Sequence, residues 1–221
     1  MKRFGQLVLA MGVAAAALTG SASAQPSEPR IYAGQFTIGP TFGNKSDLSL
    51  GGEFDYKLGT EWEAFAEVGH MFNVATSDMD DRAQSISNFI GGSASVGESA
   101  TYFDVGIKYL FVPFSGGYQP YAGVGLGAAH VSKETVFSVG GTELTEQQLL
   151  EQYGVQLGSD LAGSTTKFMM VIALGVSRNF MEKYFLDVSY RYGPIFAKSG
   201  TIEDDKTIHS QRLQLGLGVR F

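Results

Sequence analysis

Leu213-Gln214-Leu215-Gly216-Leu217-Gly218-Val219-Arg220-Phe221 closes the chain, and its reading decides the fold. Leu213, Leu215, Leu217, Val219 and Phe221 fall on one face of a strand, and Gln214, Gly216, Gly218 and Arg220 on the other. Apolar-out, polar-or-small-in alternation over about ten residues is the pattern of a transmembrane β-strand. As the edge of a soluble sheet, such a segment would expose unpaired backbone beside an apolar face and invite aggregation. In a closed barrel the first strand pairs that edge, and lipid covers that face.

The opposite terminus fits export. Lys2 and Arg3 precede an apolar, alanine-rich run from Leu7 to Leu18, and Ala22-Ser23-Ala24 forms a small-residue cleavage site before Gln25. This pattern is a secretory signal peptide over residues 1–24, too short for a spanning helix. The expected mature domain, 25–221, is roughly 197 residues, the size of one domain.

Composition narrows the classes. With no Cys there is neither a disulfide framework nor a thiolate metal site. The net charge is −6, about −8 without Lys2 and Arg3, and no basic stripe is present, so a nucleic-acid partner is not expected. No mature segment reaches the length of a transmembrane helix, whereas a barrel hides its hydrophobicity in alternation.

Eight segments alternate: Ile31–Phe42, Asp47–Leu58, Glu61–Phe72, Thr101–Val112, Tyr121–Val131, Phe168–Asn179, Tyr184–Gly193 and Ser210–Phe221. Short links at Gly59-Thr60, Pro113–Pro120 and Phe180–Lys183 alternate with longer ones at Asn73–Ala100, Ser132–Lys167 and Pro194–His209, while Gly43–Ser46 is short. Short periplasmic turns and long extracellular loops are the outer-membrane rule. The expectation is an all-β, eight-stranded antiparallel up-and-down transmembrane β-barrel with long extracellular loops and both termini in the periplasm. Within the second long loop, Leu144–Leu149 reads as a helix start. Thr145 and Gln148 can form a capping box, Leu144 can staple to Leu149, and Gly154 can end the helix.

Gln214, Gly216, Val219 and Phe221 match the C-terminal assembly signal of outer-membrane barrels. Leu186-Asp187-Val188-Ser189-Tyr190-Arg191-Tyr192 and Gln119-Pro120-Tyr121-Ala122-Gly123-Val124-Gly125-Leu126-Gly127 look like strands of small porin-family and opacity-type proteins. The chain therefore resembles the outer-membrane β-barrel family that includes opacity proteins and the barrel domain of OmpA-like proteins. The resemblance covers nearly all of the mature chain. It implies a Gram-negative outer-membrane location, contact with outer-membrane lipid and lipopolysaccharide, and recognition by the barrel assembly machinery through Gln214, Gly216, Val219 and Phe221.

Function is less sharply written. Glu53, Asp55, Glu63, Glu67, Asp104 and Asp187 point inward with Lys57, Lys108, Arg191, Arg212 and Arg220. An eight-stranded lumen is just wide enough for side chains to fill it, and buried charges must be paired. A plugging polar network is expected, the alternative being a narrow porin-like channel. His130 and Ser132 share a face, but Lys133-Glu134 stands where lipid A deacylases have Asn-Ala, so a lipid A-modifying enzyme is a further alternative. The runs Asp78/Asp80/Asp81 and Glu203/Asp204/Asp205 lack calcium-loop spacing and read as solvated loop. Tyr32, Trp62, Tyr109, Phe111, Tyr121, Tyr184 and Phe221 read as an interfacial aromatic girdle. No catalytic residue, cofactor or metal site is expected. The expected role is structural or adhesin-like, with any extracellular ligand met by loops 73–100 and 132–167.

Overall fold

The computed structural model describes residues 32–42, 45–159, 161–197 and 207–221. The expected signal peptide, Ile31 and the run Glu203–Asp205 lie outside the described residues. Alternating side chains build β1 (Tyr32–Phe42), β2 (Asp47–Lys57), β3 (Trp62–Met71), β4 (Ser93–Leu110), β5 (Tyr118–Val139), β7 (Gly163–Asn179), β8 (Tyr184–Ile195) and β9 (Ile208–Arg220). A short strand β6 (Thr142–Leu144) and helices α1 (Ser77–Ile90) and α2 (Glu146–Tyr153) complete the elements.

The eight long strands pair antiparallel around a closed ring, in which β1 joins β9 and β4 joins β5; β6 folds back on β5. The seam is finished by two backbone hydrogen bonds between Tyr32 and Phe221, of 3.2 and 2.9 Å. The first and last strands therefore leave no open edge between them at the seam. Beside the seam, an ideal Cβ on Gly39 would lie 1.8 Å from the carbonyl oxygen of Leu213, so only glycine allows this approach.

Partner residues trace a path once round the wall. It runs Tyr32, Tyr56, Ala64, Ile107, Val124, Ile172, Tyr192, Gln211 and back to β1 at Phe42. Residue 32 has become residue 42, a shear of ten residues. For eight strands this shear sets a tilt of about 40°. The path also separates two ends, a turn end with Tyr32 and a loop end with Phe42.

The lipid-facing wall is as expected. Phe36, Ile38, Phe54, Val68, Phe103, Val105, Leu126, Ile172, Leu174, Val188, Leu215 and Leu217 are all exposed. At the turn end, Trp62 meets Tyr109 edge-on at 5.0 Å and Tyr32 stacks with Phe221 at 6.0 Å. Tyr121 corrects the girdle: it is buried, and its hydroxyl donates to Asp187 inside the lumen at 3.0 Å. Its parity explains this, since Tyr121 shares the inner face of β5 with Gly123 and Gly125.

The larger correction lies at the loop end. Asn73–Ala100 is not a structureless loop: it contains α1 and the first eight residues of β4. Likewise β5 runs on to Val139, and β7 begins at Gly163. With 22 residues, β5 rises roughly 55 Å along the barrel axis at this tilt, about twice the apolar band of an outer-membrane barrel. The strands β4, β5 and β7 thus form a lip standing well beyond the lipid.

Candidate functional site: the filled lumen and the loop-end cap

Seven of the charged side chains read as inward-facing meet in one layer. On one wall, register sets Glu53 beside Glu67 and Glu67 beside Asp104; on the opposite wall Arg191 pairs with Arg212. Like charges side by side would repel, so each wall is stabilised by the other across the lumen. Arg191 Nη1 lies 2.6 Å from Glu67 Oε2, and Arg191 Nη2 bonds Glu53. Lys108 bonds Glu53 and also Asp55, the latter at 2.7 Å. Glu67 gathers further donors from Tyr102 at 2.9 Å, Arg212 at 3.3 Å and Gln214 at 3.3 Å. Glu53, Glu67, Asp104, Arg191 and Arg212 are all buried.

The remaining inward charges sit apart from this knot. Glu63 faces Arg220 at 3.7 Å and pairs by register with Lys57, near the turn end. Asp187 is held by Tyr121; within the layer itself, Asp104 is buried and takes no direct hydrogen bond from a described residue. Sequence reasoning missed the uncharged members. Gln35 donates to Glu53, and Gln214 also reaches Thr37 at 3.4 Å. Arg212 lies over the Tyr102 ring at 4.1 Å, and Lys108 over Tyr121 at 4.9 Å. Gln214 and Gly216 thus shape the lumen: a Cβ at Gly216 would meet the Gln35 side chain at 2.3 Å.

Above the charged layer the lumen turns apolar. Met71, Val74, Ala100, Ala129, Val131, Met169, Ile195 and Ile208 form one buried cluster. This second layer, absent from the sequence reading, fills the barrel toward the loop end.

Beyond it the two long segments form a cap with its own core. Ala75, Met79, Ala83 and Ile90 of the α1 region pack with Val96, Phe137, Leu149 and Leu161. The helix α2 starts as its sequence dictates. Thr145 Oγ1 accepts from the Gln148 amide at 3.2 Å, the Gln148 side chain accepts from the Thr145 amide at 2.9 Å, and Gly154 ends the helix at φ 68°. Leu149 is buried, whereas Leu150 is exposed, as is Phe89 on α1. Asp78 and Asp80 fall in the first turn of α1, favourable for the helix dipole, and Asp80 takes Lys45 at 2.7 Å. They belong to a helix rather than to a loop.

The cap segments also hold most of the chain's excess of negative charge. Asn73–Ala100 carries Asp78, Asp80, Asp81 and Glu98 against Arg82, and Ser132–Lys167 carries Glu134, Glu143, Glu146, Glu151 and Asp160 against Lys133 and Lys167. His130 and Ser132 do not form a pair: His130 Nδ1 is 3.1 Å from Thr166 Oγ1, on the outer face. Among the described residues no group of His, Cys, Asp and Glu is arranged to hold a metal ion.

A closed, eight-stranded barrel with apolar outside, charged inside and a lip at one end defines an outer-membrane barrel. The chain matches the outer membrane protein beta-barrel domain model over residues 7–221 and belongs to that family. Among solved structures it is similar to Neisserial surface protein A, at 16% identity over 86% of this chain and 97% of that one, with TM-score 0.55. It is also similar to a major outer membrane protein from Thermus thermophilus, at 10% identity over 86% and 99%, with TM-score 0.51. The N-terminal barrel domain of Pseudomonas aeruginosa OprF is a further match, at 16% identity over 86% and 97%, with TM-score 0.47. These likenesses concern the fold. No similar protein was found among curated proteins. The protein is an outer-membrane β-barrel.

Proposed function

We propose that this barrel is a non-enzymatic, non-conducting pedestal for a surface-interaction cap. The observation that carries the reading is the cap itself. Residues 73–100 and 132–167 share a buried core while α1 and α2 leave Phe89 and Leu150 exposed on an acidic surface. Binding residues concentrate on segments held by a rigid scaffold, and the wall below is committed to lipid. The filled lumen supports the same reading, because buried apolar side chains of the Met71, Met169 and Ile195 layer lie across it. The outward pose of His130, bonded to Thr166 rather than to Ser132, supports a non-enzymatic role.

By the general rule for such barrels the turn end faces the periplasm and the cap faces outward. We further infer that Gln214, Gly216, Val219 and Phe221 serve the barrel assembly machinery during insertion.

The test is to shorten both cap segments to tight turns in the full chain. Heat-modifiable migration on gels is expected to persist, and adhesion of expressing cells to any surface or ligand that wild-type cells bind is expected to vanish. Undiminished adhesion by the shortened chain would place recognition elsewhere.

A further inference from the structure

A second cavity lies on the low side of the rim, at the edge of the cap core. There the β1–β2 link is short, and a cavity of about 330 Å³ opens between the end of β1, Lys45, the connector into α1 and the start of β9. Its lining includes Thr41, Phe42, Lys45, Asn73, His209 and Gln211. Thr41 is buried, whereas Phe42 and His209 are exposed on the outer wall. The cavity therefore straddles the strand ends. It sits directly above the apolar band formed by Ile38, Leu213 and Leu215, at the height of lipid headgroups.

The lining is rich in committed acceptors, which leaves donors for a ligand. Asn73 Oδ1 accepts from the Ala75 amide at 3.0 Å, so its carbonyl side is occupied and its NH2 remains. Tyr192 Oη lies 2.6 Å from His209 Nδ1, with the two rings nearly parallel at 11° and their centroids 6.0 Å apart, which leaves Nε2, a donor when the tyrosine hydroxyl donates to Nδ1. Gln211 Oε1 accepts from Tyr190 at 2.8 Å, leaving its NH2. Lys45 Nζ spends two donors on Asp80 and the Val96 carbonyl, at 2.7 and 3.2 Å, and an ammonium has three. Lys45 is a cation on the rim of a loop end whose net charge is negative. Amide, imidazole and ammonium donors around a flat, hydrogen-bonded His–Tyr pair suit a ring that carries oxygen acceptors and a negative charge.

We propose that this rim cavity binds the phosphate-bearing sugar of an outer-leaflet glycolipid or a free sugar phosphate, with Lys45, Asn73, His209 and Gln211 donating to its oxygens. The proposal does not depend on what the cap binds.

The test uses the refolded mature chain in detergent micelles, titrated by native mass spectrometry. The probes are bisphosphorylated lipid A, the same lipid after removal of its phosphates, and glucosamine 1-phosphate. Lipid A is expected to be retained in preference to its dephosphorylated form. His209→Ala and Lys45→Met are expected to weaken retention about tenfold or more, as loss of a direct or charge-assisted hydrogen bond implies. Lys45→Arg is expected to retain binding, and Lys183→Met, which removes a cation at the turn end, to leave it unchanged. His209→Ala keeps the test sound if Lys45→Met loosens α1. Binding of lipid A alone identifies the glycolipid as the source; binding of both phosphorylated probes shows that the sugar phosphate suffices. The proposal is overturned if neither phosphorylated probe binds. It is equally overturned if removing the phosphates has no effect, or if Lys45→Met and His209→Ala bind like wild type.

Discussion

Arg191 joins Glu53 to Glu67: one guanidinium bridges two carboxylates that face each other on adjacent strands of the opposite wall. A planar fork with donors on separate nitrogens suits this task, and a lysine ammonium does not. Removing Arg191 leaves the two buried acids with two of their three cations, Lys108 on Glu53 and Arg212 on Glu67. Arg191→Ala is expected to destabilise the barrel by about 3–5 kcal/mol, the scale for breaking a buried ion pair from one side. Arg191→Lys is expected to recover only part of this. Urea unfolding in lipid vesicles measures both, and an Arg191→Ala barrel as stable as wild type would show that the network contributes nothing to the fold.

The lipid face answers to charge in the opposite way. Leu174 and Val105 are exposed on the outer wall, well inside the apolar band. Leu174→Arg and Val105→Arg are each expected to cost roughly 2–4 kcal/mol near the midplane. Unchanged refolding yields and unfolding midpoints for both would mean that these side chains do not face lipid.

The parts of the fold that the sequence made legible are those inside the membrane. Phe103, Val105 and Ile107 opposite Asp104 and Lys108 mark β4 within the bilayer, because outward residues there must be apolar. Above the bilayer the rule inverts. Ser93, Ser95 and Ser99 point out, and Ala94, Val96 and Ala100 point in, so a search for apolar-out alternation stops at Thr101. The helix α1 was obscured for a different reason. Its buried stripe of Met79, Ala83, Ser87 and Ile90 has helical spacing, but two of the four residues are small or polar. The helix α2 was legible because capping is local: Thr145, Gln148 and Gly154 settle its ends without tertiary help. The lumen charges could be named from parity, but not which carboxylate meets which arginine, since that depends on shear. The rim cavity joins Lys45, Asn73 and His209, distant in sequence and brought together only by ring closure.

The cap is expected to melt separately from the barrel. Phe137 is fully buried in the cap core, and Phe137→Ala is expected to cost about 3–5 kcal/mol locally. Thr145→Ala is expected to cost about 1 kcal/mol by removing the N-cap of α2. Hydrogen exchange should show faster amides in α1, β6 and α2, with unchanged protection in β1, β8 and β9. Uniform acceleration across the wall would mean that cap and barrel are one cooperative unit.

Phe221 closes the seam with Tyr32 yet stays exposed, so its removal is expected to cost only about 1–2 kcal/mol of burial. Its effect on insertion is expected to be far larger. Outer-membrane and periplasmic levels of the full chain and of a chain lacking Phe221 separate the two contributions. Equal outer-membrane yields would contradict a role in assembly.

The Arg191 network and the Met71, Met169 and Ile195 layer fill the lumen below the cap. Planar-bilayer recording of the intact chain and of the cap-shortened chain tests whether these layers also seal it. No steady conductance is expected from either protein, because both layers lie within the barrel. Steady ohmic current through the intact chain would contradict this, and current that appears only after cap removal would place the seal in the cap.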